Sequence, residues 1–422
     1  MTGVGSTEPS KKRAGFAGTL GALSERDFRL VFSSTTISAV GDGVAAIALV
    51  FAVLHIAHNS PTAVGVVLAA RQVAAAGIAL AAGVVADRLP RHTVLVAVAA
   101  VQAAVQATVA VLVLGGHATV ALLAGLGAVY GLADGFVIPA TNGLIPAVIS
   151  AARLQQANAL IGLSRSILGF AAPALGGVLV AAGSPGGAIL IDAISFAVAA
   201  VLLARVHVAS RADAVEPEPF LRELRDGWTE FRRQRWIFNT IVFFGIGNFA
   251  GQAWGVLAPL VMKEHYGGAS TYGVVLSVFG AGLVLGGIVV LRWHPTRPLL
   301  VSCLCALPFG LGVWMIAFLV PLPVLLAAQL LAGTGLAIHL ALWFTVFQEQ
   351  VPEAARSRVS SYDALGSFVL IPLGTAAAGP IAGAIGVKET LIASGVVTVL
   401  SNLLVVAQPV VWTIKRTTVA TA

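Results

Sequence analysis

The chain has 422 residues, of which 58% are hydrophobic and 10% are charged, and its mean hydropathy is +0.94. This composition excludes a water-soluble domain of the same length, because about a quarter of the residues in such domains are charged. The net charge is +7, but the basic residues are concentrated on one side of the predicted membrane spans. That distribution argues against a nucleic-acid partner.

Apolar stretches of about 20 residues recur along the chain, and each can cross a hydrocarbon core of about 30 Å as a helix. The stretches lack period-2 alternation, so they predict helices and not a membrane barrel. The sequence therefore predicts an all-α integral membrane protein with twelve transmembrane helices. The predicted spans are 28–54, 62–86, 93–114, 118–139, 157–182, 187–206, 237–262, 271–291, 299–320, 323–346, 360–385 and 389–414.

The distribution of basic residues predicts the orientation of the chain. Of the 25 Lys and Arg residues, 19 lie in segments on the side of the N-terminus, so both termini are predicted to be cytoplasmic. The first span is too long for the apolar core of a cleaved leader. The predicted units are a tail (1–27), a six-helix bundle (28–206), a linker with an amphipathic helix (207–236), a second six-helix bundle (237–414) and a tail (415–422).

The two predicted bundles resemble each other in sequence. Four short motifs recur in corresponding spans at offsets of 204 to 208 residues. They are Gly41-Asp42 with Gly247-Asn248, Gly65 to Leu68 with Gly273 to Leu276, Gly131 to Ala133 with Gly335 to Ala337, and Ala172-Pro173 with Gly379-Pro380. Because an even number of spans separates the copies, we predict parallel repeats related by an axis along the membrane normal.

A short charged connection, G-V-V-A-D-R-L-P-R-H, joins spans two and three. Together with the six-plus-six duplication, it makes residues 28–412 resemble the major facilitator superfamily. Within that family the chain is similar to the bacterial branch that includes macrolide and enterobactin exporters. The matching stretches are S-x-x-G-D-G at 38–43, D-G-F at 134–136, Q-A-N-A-L at 156–160, A-P-A-L-G-G at 172–177 and V-P-x-x-x-R-x-R-V at 351–359.

The resemblance implies a cytoplasmic gate at the connection between spans two and three. Asp87 is expected to pair with a nearby arginine and to reach across to span eleven. Such contacts would hold the cytoplasmic side closed until the two halves rock apart. The candidate gate residues are Gly83, Asp87, Arg88, Arg91 and Asp363.

Two ionisable residues lie near the midplane of the first two spans. A charge at a helix centre costs about 2.5–3.5 kcal/mol on insertion scales, so Asp42 and Arg71 require an explanation. Either the two form a charge pair that only fixes helix packing, or Asp42 takes up and releases a coupling proton. Because the repeat places Asn248 at the position of Asp42, proton coupling is expected in the N-terminal half.

Other polar residues in the spans are assigned mainly structural roles. Asp134 in span four is predicted to pair with Arg165 in span five, or with Arg88, in a structural or gating contact. Asp192 in span six is interpreted as an interfacial or packing residue. Helix bends are predicted at Pro173, Gly176, Gly177 and Pro380.

In the resembled fold, spans one, four, seven and ten line a substrate cavity, with contributions from two, five, eight and eleven. The candidate cavity residues are Phe136, Asn248, Gln252, Trp254, His339, Trp343 and Phe344. Aromatic faces with a few amides suit a bulky amphipathic compound better than a sugar. Helix packing or lipid contact is the competing interpretation for each, and a lone histidine such as His339 is more often hydrogen-bonded structure than a proton carrier.

These features favour a secondary active transporter that exports a small amphipathic compound, such as a drug, an antibiotic or a siderophore-like molecule, by proton-coupled alternating access. The alternative is an importer or facilitator of a small metabolite. An enzyme is disfavoured, because the chain has neither a phosphate-binding loop nor an H-E-x-x-H motif. The expected partners are the small-molecule substrate, protons and the lipid bilayer. No cofactor, metal or nucleic acid is expected, and the chain is predicted to be a monomer in the bacterial plasma membrane.

Overall fold

The structure is a computed structural model that describes residues 20–207, 235–351 and 370–415. Residues 1–19, most of the predicted linker with its amphipathic helix, and Asp363 lie outside these ranges. Where side chains are discussed below, residues 83–88 at the end of the second helix are also outside the description.

The described chain consists of consecutive long helices. Eleven spans are long and apolar enough to cross a membrane, and a twelfth is described over 16 residues. The prediction of an all-helical membrane protein is confirmed. The helices are α1 (Arg26–Ile56), α2 (Pro61–Arg88), α3 (Arg91–Leu114), α4 (Val120–Asp134, continued by Val137–Leu144), α5 (Leu154–Ala182), α6 (Pro185–Ala204), α7 (Arg235–His265), α8 (Ala269–Arg292), α9 (Pro298–Ala317), α10 (Leu322–Gln350), α11 (Leu370–Ile385) and α12 (Val387–Val406).

Local sequence accounts for several helix boundaries. The hydroxyl of Thr119 accepts the backbone N–H of Leu122 at the start of α4, and Ser184 caps α6 in the same way. Pro185 occupies the first turn of α6, where the missing N–H costs nothing. Gly386 links α11 to α12 with a φ of 101°, a conformation that favours glycine.

Two predicted spans differ from the observed helices. The fourth span is interrupted at Gly135 and Phe136 and then continues to Leu144. A side chain at Gly135 would meet the α2 backbone, because a Cβ there would lie 3.0 Å from the oxygen of Ala75. The twelfth span ends at Val406, and the residues from Pro409 form a separate short helix, since proline removes a helical hydrogen bond.

The two halves have the same internal packing. In the first half α1 packs against α5 and α6, and α3 packs against α4 and α6; in the second half α7 packs against α11 and α12, and α9 against α10 and α12. The pairs α2–α4 and α8–α10 also correspond. The parallel six-helix repeat predicted from the sequence offsets is therefore present in the structure.

Contacts between the halves are closest at one end of the molecule. At the end where α1 finishes, here called the Ile56 end, one hydrophobic cluster contains side chains of both halves. At the opposite end, here called the Arg26 end, the described buried side chains form one cluster within the first half and another within the second. The halves are thus joined mainly at the Ile56 end in the described part of the chain.

Small residues allow the helices of the two halves to approach closely. A Cβ on Gly177 of α5 would lie 3.0 Å from the Cα of Gly273 of α8. At the equivalent α2–α11 contact, a Cβ on Gly65 would lie 2.8 Å from the backbone oxygen of Thr375. Such contacts are typical of membrane helices, where association depends on van der Waals packing. Pro173 and Pro380 lie inside α5 and α11, and the bends predicted there stay predictions.

Candidate functional site

Asp42 and Arg71 meet inside the first half. The Nη2 atom of Arg71 lies 3.4 Å from Oδ1 of Asp42, so the expected charge pair between α1 and α2 forms. The hydroxyl of Tyr130 donates a 2.5 Å hydrogen bond to the same carboxylate oxygen. The guanidinium carbon of Arg71 lies 3.9 Å from the centre of the Tyr130 ring. The carboxylate of α1 is therefore bound by side chains of two other helices, α2 and α4.

Asp134 belongs to the same group of charges. Its Oδ2 atom lies 3.9 Å from Nη2 of Arg71, and Gln102 of α3 donates to its other oxygen at 3.4 Å. Arg71 thus stands between two carboxylates on different helices, and one cation faces two potential anions. A change at either acid changes the attraction that holds Arg71 to the other.

The predicted ion pair between Asp134 and Arg165 is wrong. Arg165 lies on an exposed face of α5 and forms no salt bridge with Asp134. The reason is the helix arrangement, because α4 packs against α2 and α3 whereas α5 packs against α1 and α8. Although α4 and α5 follow each other in the chain, they are not neighbours in the bundle. The alternative partner, Arg88, has no described side chain.

Asp192 is more deeply placed than an interfacial residue. Its side chain is 0% exposed, and it accepts hydrogen bonds from Gln106 of α3 and, at 3.3 Å, from the hydroxyl of Ser195. A Cβ on Gly41 of α1 would collide with both Asp192 and Ser195. Asp192 therefore fixes the packing of α1, α3 and α6, so the packing alternative holds and the interfacial one is wrong.

The predicted gate connection is shorter than its sequence indicates. The helix α2 includes Gly83 and continues to Arg88, and α3 begins at Arg91, so only Leu89 and Pro90 are non-helical. The guanidinium of Arg91 donates to the backbone oxygen of Gly143 at the end of α4, at 2.8 Å. The side chains of Asp87 and Arg88, and the whole of Asp363, lie outside the described residues.

A cavity of about 310 Å³ lies inside the second half. Five predicted residues line it: Asn248, Gln252, His339, Trp343 and Phe344. Phe136 and Trp254 do not line it. Phe136 packs within the first half near the Arg26 end, and Trp254 packs against aromatic rings of α8. The remaining lining includes Phe244, Ala306, Phe309, Thr398 and Asn402.

The helices around this cavity differ from those expected. It is enclosed by α7, α9, α10 and α12, all from one half, and not by spans one, four, seven and ten. A smaller space, of about 20 Å³, lies in the first half. Side chains of Arg71, Gln106 and Tyr130 border that smaller space.

The cavity wall is aromatic and uncharged. The ring of Phe244 packs edge-on against His339 and Trp343, with centroids 4.9 and 5.2 Å apart. The hydroxyl of Ser302 donates to the backbone oxygen of His339, and Nδ1 of His339 lies 3.1 Å from the backbone oxygen of Ser302. His339 is thus tied to α9, in agreement with a structural role. None of the residues that line the cavity is an Asp, Glu, Lys or Arg.

Consecutive long apolar helices in two parallel repeats, with a cavity and a charge cluster among them, are the architecture of a polytopic membrane transporter. The chain belongs to the major facilitator superfamily, whose family model matches residues 31–375. The chain is 25% identical over 396 residues to the multidrug efflux pump Tap of Mycobacterium tuberculosis (strain ATCC 25618 / H37Rv), covering 90% of this chain and 93% of Tap.

Solved structures show the same fold. A variant of the nucleoside transporter NupG superposes with a TM-score of 0.71 at 14% identity, covering 90% of this chain and 99% of NupG. A bacterial homologue of the iron transporter ferroportin, in an inward-facing state, gives 0.69 at 17% identity, with coverage of 91% and 99%. At these identities the similarity shows a shared fold and nothing more.

Proposed function

We propose that the chain is a proton-coupled exporter of small amphipathic compounds in the bacterial plasma membrane. The observation that carries the proposal is a division of chemistry between the halves. The first half holds the half-buried cluster of Asp42, Arg71 and Asp134, and the second half holds an uncharged aromatic cavity. An intramembrane charge cluster suits a proton pathway, and an apolar cavity with a few polar groups suits a bulky organic substrate.

Proton transfer would act through competition for Arg71. When Asp42 is ionised, its carboxylate and that of Asp134 share one guanidinium, at 3.4 and 3.9 Å. Protonation of Asp42 removes one of the two attractions, and Arg71 then binds Asp134 alone. A shift of this side chain between α1 and α4 changes the packing within the first half, which links the proton to a rocking motion.

The Arg26 end is proposed to face the cytoplasm, and the support is that most Lys and Arg residues lie in the segments at that end. The halves pack together at the Ile56 end, so with this orientation the described state would be closed to the exterior. In the opposite state, Asp87, Arg88, Arg91 and Asp363 are proposed to close the cytoplasmic side. The chain is proposed to act as a monomer.

Export is favoured over import by the Tap relatives, which are named multidrug efflux pumps. The test is ethidium accumulation in bacteria that lack their main efflux systems and express the full chain. We expect lower accumulation with the chain than with an empty vector. The Asp42→Asn variant should lose this effect, whereas the control Glu264→Gln, at an exposed carboxylate of α7, should keep it. Higher accumulation with the chain would establish the importer or facilitator instead.

A further inference from the structure

Two polar side chains of α12 face the cavity of the second half without a partner. Thr398 is 5% exposed and Asn402 is 7% exposed, and both line the cavity. Neither the hydroxyl of Thr398 nor Oδ1 of Asn402 has a hydrogen-bond partner among the described residues. Buried polar atoms are nearly always satisfied, so each unsatisfied one requires an explanation.

The local hydrogen bonds show which atoms of Asn402 and Thr398 are without a partner. The amide nitrogen of Asn402 donates to the backbone oxygen of Thr398 at 3.0 Å, which leaves Oδ1 of Asn402 as the free acceptor. Helical threonines usually satisfy their hydroxyl on the carbonyl one turn earlier, as Thr390 does with Gly386 at 2.7 Å on the same helix. Thr398 makes no such bond and instead borders the cavity.

The internal repeat relates Thr398 to a hydrogen-bonded residue of the first half. Asp192 and Ser195 recur 206 residues later as Thr398 and Ser401. The hydroxyl of Ser195 donates to the backbone oxygen of Asp192 at 2.8 Å, and that of Ser401 donates to the backbone oxygen of Thr398 at 2.9 Å. Each serine also packs on a glycine at the equivalent position of α1 or α7. In the first half, Gln106 satisfies the Asp192 side chain.

At the same offset from Gln106 the second half has Gly312, which has no side chain to offer. The partner of Asp192 is therefore built into the first half, whereas the partner of Thr398 is missing from the second. A ligand in the cavity can supply the missing hydrogen bonds.

We propose that Thr398 and Asn402 form a hydrogen-bonding subsite for neutral aromatic compounds that carry an O–H or N–H group. The aromatic body would pack against Phe244 and Trp343, and the donor would point to α12. The uncharged lining offers no counter-ion, so the donor group at the subsite itself is expected to be neutral. This inference rests on the proposed function in that the cavity is the one assigned to the substrate.

The test uses two probes of nearly equal shape, 2-naphthol and 2-methoxynaphthalene, of which only the first has a donor. Dissociation constants are measured by calorimetry on the full chain in lipid nanodiscs, with empty nanodiscs as the reference for lipid partition. We expect 2-naphthol to bind about tenfold more tightly, the value of one net hydrogen bond.

Thr398→Val and Asn402→Leu should each reduce that preference and leave the affinity for 2-methoxynaphthalene within about twofold, since only the donor contact is lost. Thr398→Ser keeps a hydroxyl and should retain it, as should the control Thr390→Val. Equal affinities of the two probes for the wild-type chain would overturn the proposal and indicate that water alone occupies the subsite. An unchanged preference in both Thr398→Val and Asn402→Leu would overturn it as well.

Because this binding needs no gradient and no transport, its outcome is separate from that of the export assay. A chain that prefers 2-naphthol but does not lower ethidium accumulation would retain the subsite and lose the exporter assignment. A chain that exports ethidium but shows no preference for 2-naphthol would retain the exporter assignment and lose the subsite.

Discussion

Gly131 lies at the point where α4 touches the α2 backbone beneath Arg71. A Cβ at this position would lie 3.1 Å from the Cα of Arg71 and closer still to its backbone oxygen. Those backbone atoms cannot move without displacing Arg71 from Asp42. The spacing of the charge cluster therefore depends on the absence of a side chain at residue 131.

We predict that Gly131→Ala destabilises the chain by about 1–3 kcal/mol, the usual cost of overpacking. The matched control is Gly125→Ala in the same helix, because nothing lies within 4 Å of a Cβ there. Thermal unfolding of the purified protein measures both. An equal melting temperature for the Gly131→Ala variant and the wild type would show that α2 and α4 are not in close contact.

Glu25 connects the start of α1 to the segment after α4. Hydrogen bonds from the side chain and then the backbone of Ser150 lower the pKa of Glu25 below its ordinary value, and Arg153 at 3.4 Å acts in the same direction. A lowered folded-state pKa stabilises the fold above the ordinary pKa of glutamate. That contribution is lost as the pH falls through the folded-state pKa.

We therefore expect Glu25→Gln to lower the melting temperature at pH 7, and the difference from wild type to shrink as the pH falls below about 4, where the wild-type carboxyl also becomes neutral. Melting curves over a pH series measure this. A difference that is independent of pH would contradict the role of the ionised carboxylate, and Glu264→Gln serves as the control.

At the scale of elements, Lys263 links α7 to the end of α1 and the turn that follows it, at the Ile56 end. The ammonium group of Lys263, near the end of α7, donates to the side-chain oxygen of Asn59 at 2.6 Å and to the backbone oxygen of Leu54 at 3.5 Å. Asn59 has a φ of 63°, which an asparagine tolerates better than most residues. The contact crosses between the two halves, so it must break when this end opens.

Replacing this ammonium group should favour the state that is open at the Ile56 end. We expect Lys263→Met to raise its population by about tenfold relative to the closed state, in line with a loss of roughly 1.4 kcal/mol. Distances between spin labels at His55 and His265, in a cysteine-free background, report the two states. Lys388→Met alters a cation that stays within the second half and should leave the distribution unchanged. The same distribution in all three proteins would rule out a role for this contact.

The helices themselves were predictable because apolar length determines where a membrane span can lie. The exceptions have local causes. The break in α4 at Gly135 reflects close packing against α2, which a single sequence does not reveal. The early end of α12 has a visible signal, since Pro409 follows it. The pairing of Arg165 failed because helix order in the chain is not neighbour order in the bundle.

Only part of the site was predictable, because a single sequence shows residue types and not their packing. Asp42 and Arg71 are recognisable as charges in apolar spans, whereas Thr398 and Asn402 are ordinary polar residues until packing reveals their missing partners. One sequence signal was present: the repeat offset that relates Asp42 to Asn248 also relates Asp192 to Thr398.

At the scale of the whole molecule, two equivalent halves have acquired different chemistry. The first half holds the cluster of Asp42, Arg71 and Asp134, and the second half holds an uncharged cavity of about 310 Å³. Rocking of the halves around their contacts at α2–α11 and α5–α8 would couple the charge cluster of the first half to the cavity of the second. Transport would then require both halves, although both acids of the charge cluster lie in the first half.

The most direct test of this account is substrate-dependent proton movement in proteoliposomes that contain the full chain and a trapped pH-sensitive dye. With a pH gradient and ethidium, we predict proton flux through the wild type and through Glu264→Gln. Flux through correctly folded Asp42→Asn should fall to the level of empty liposomes. Proton flux through Asp42→Asn equal to that of the wild type would contradict the account.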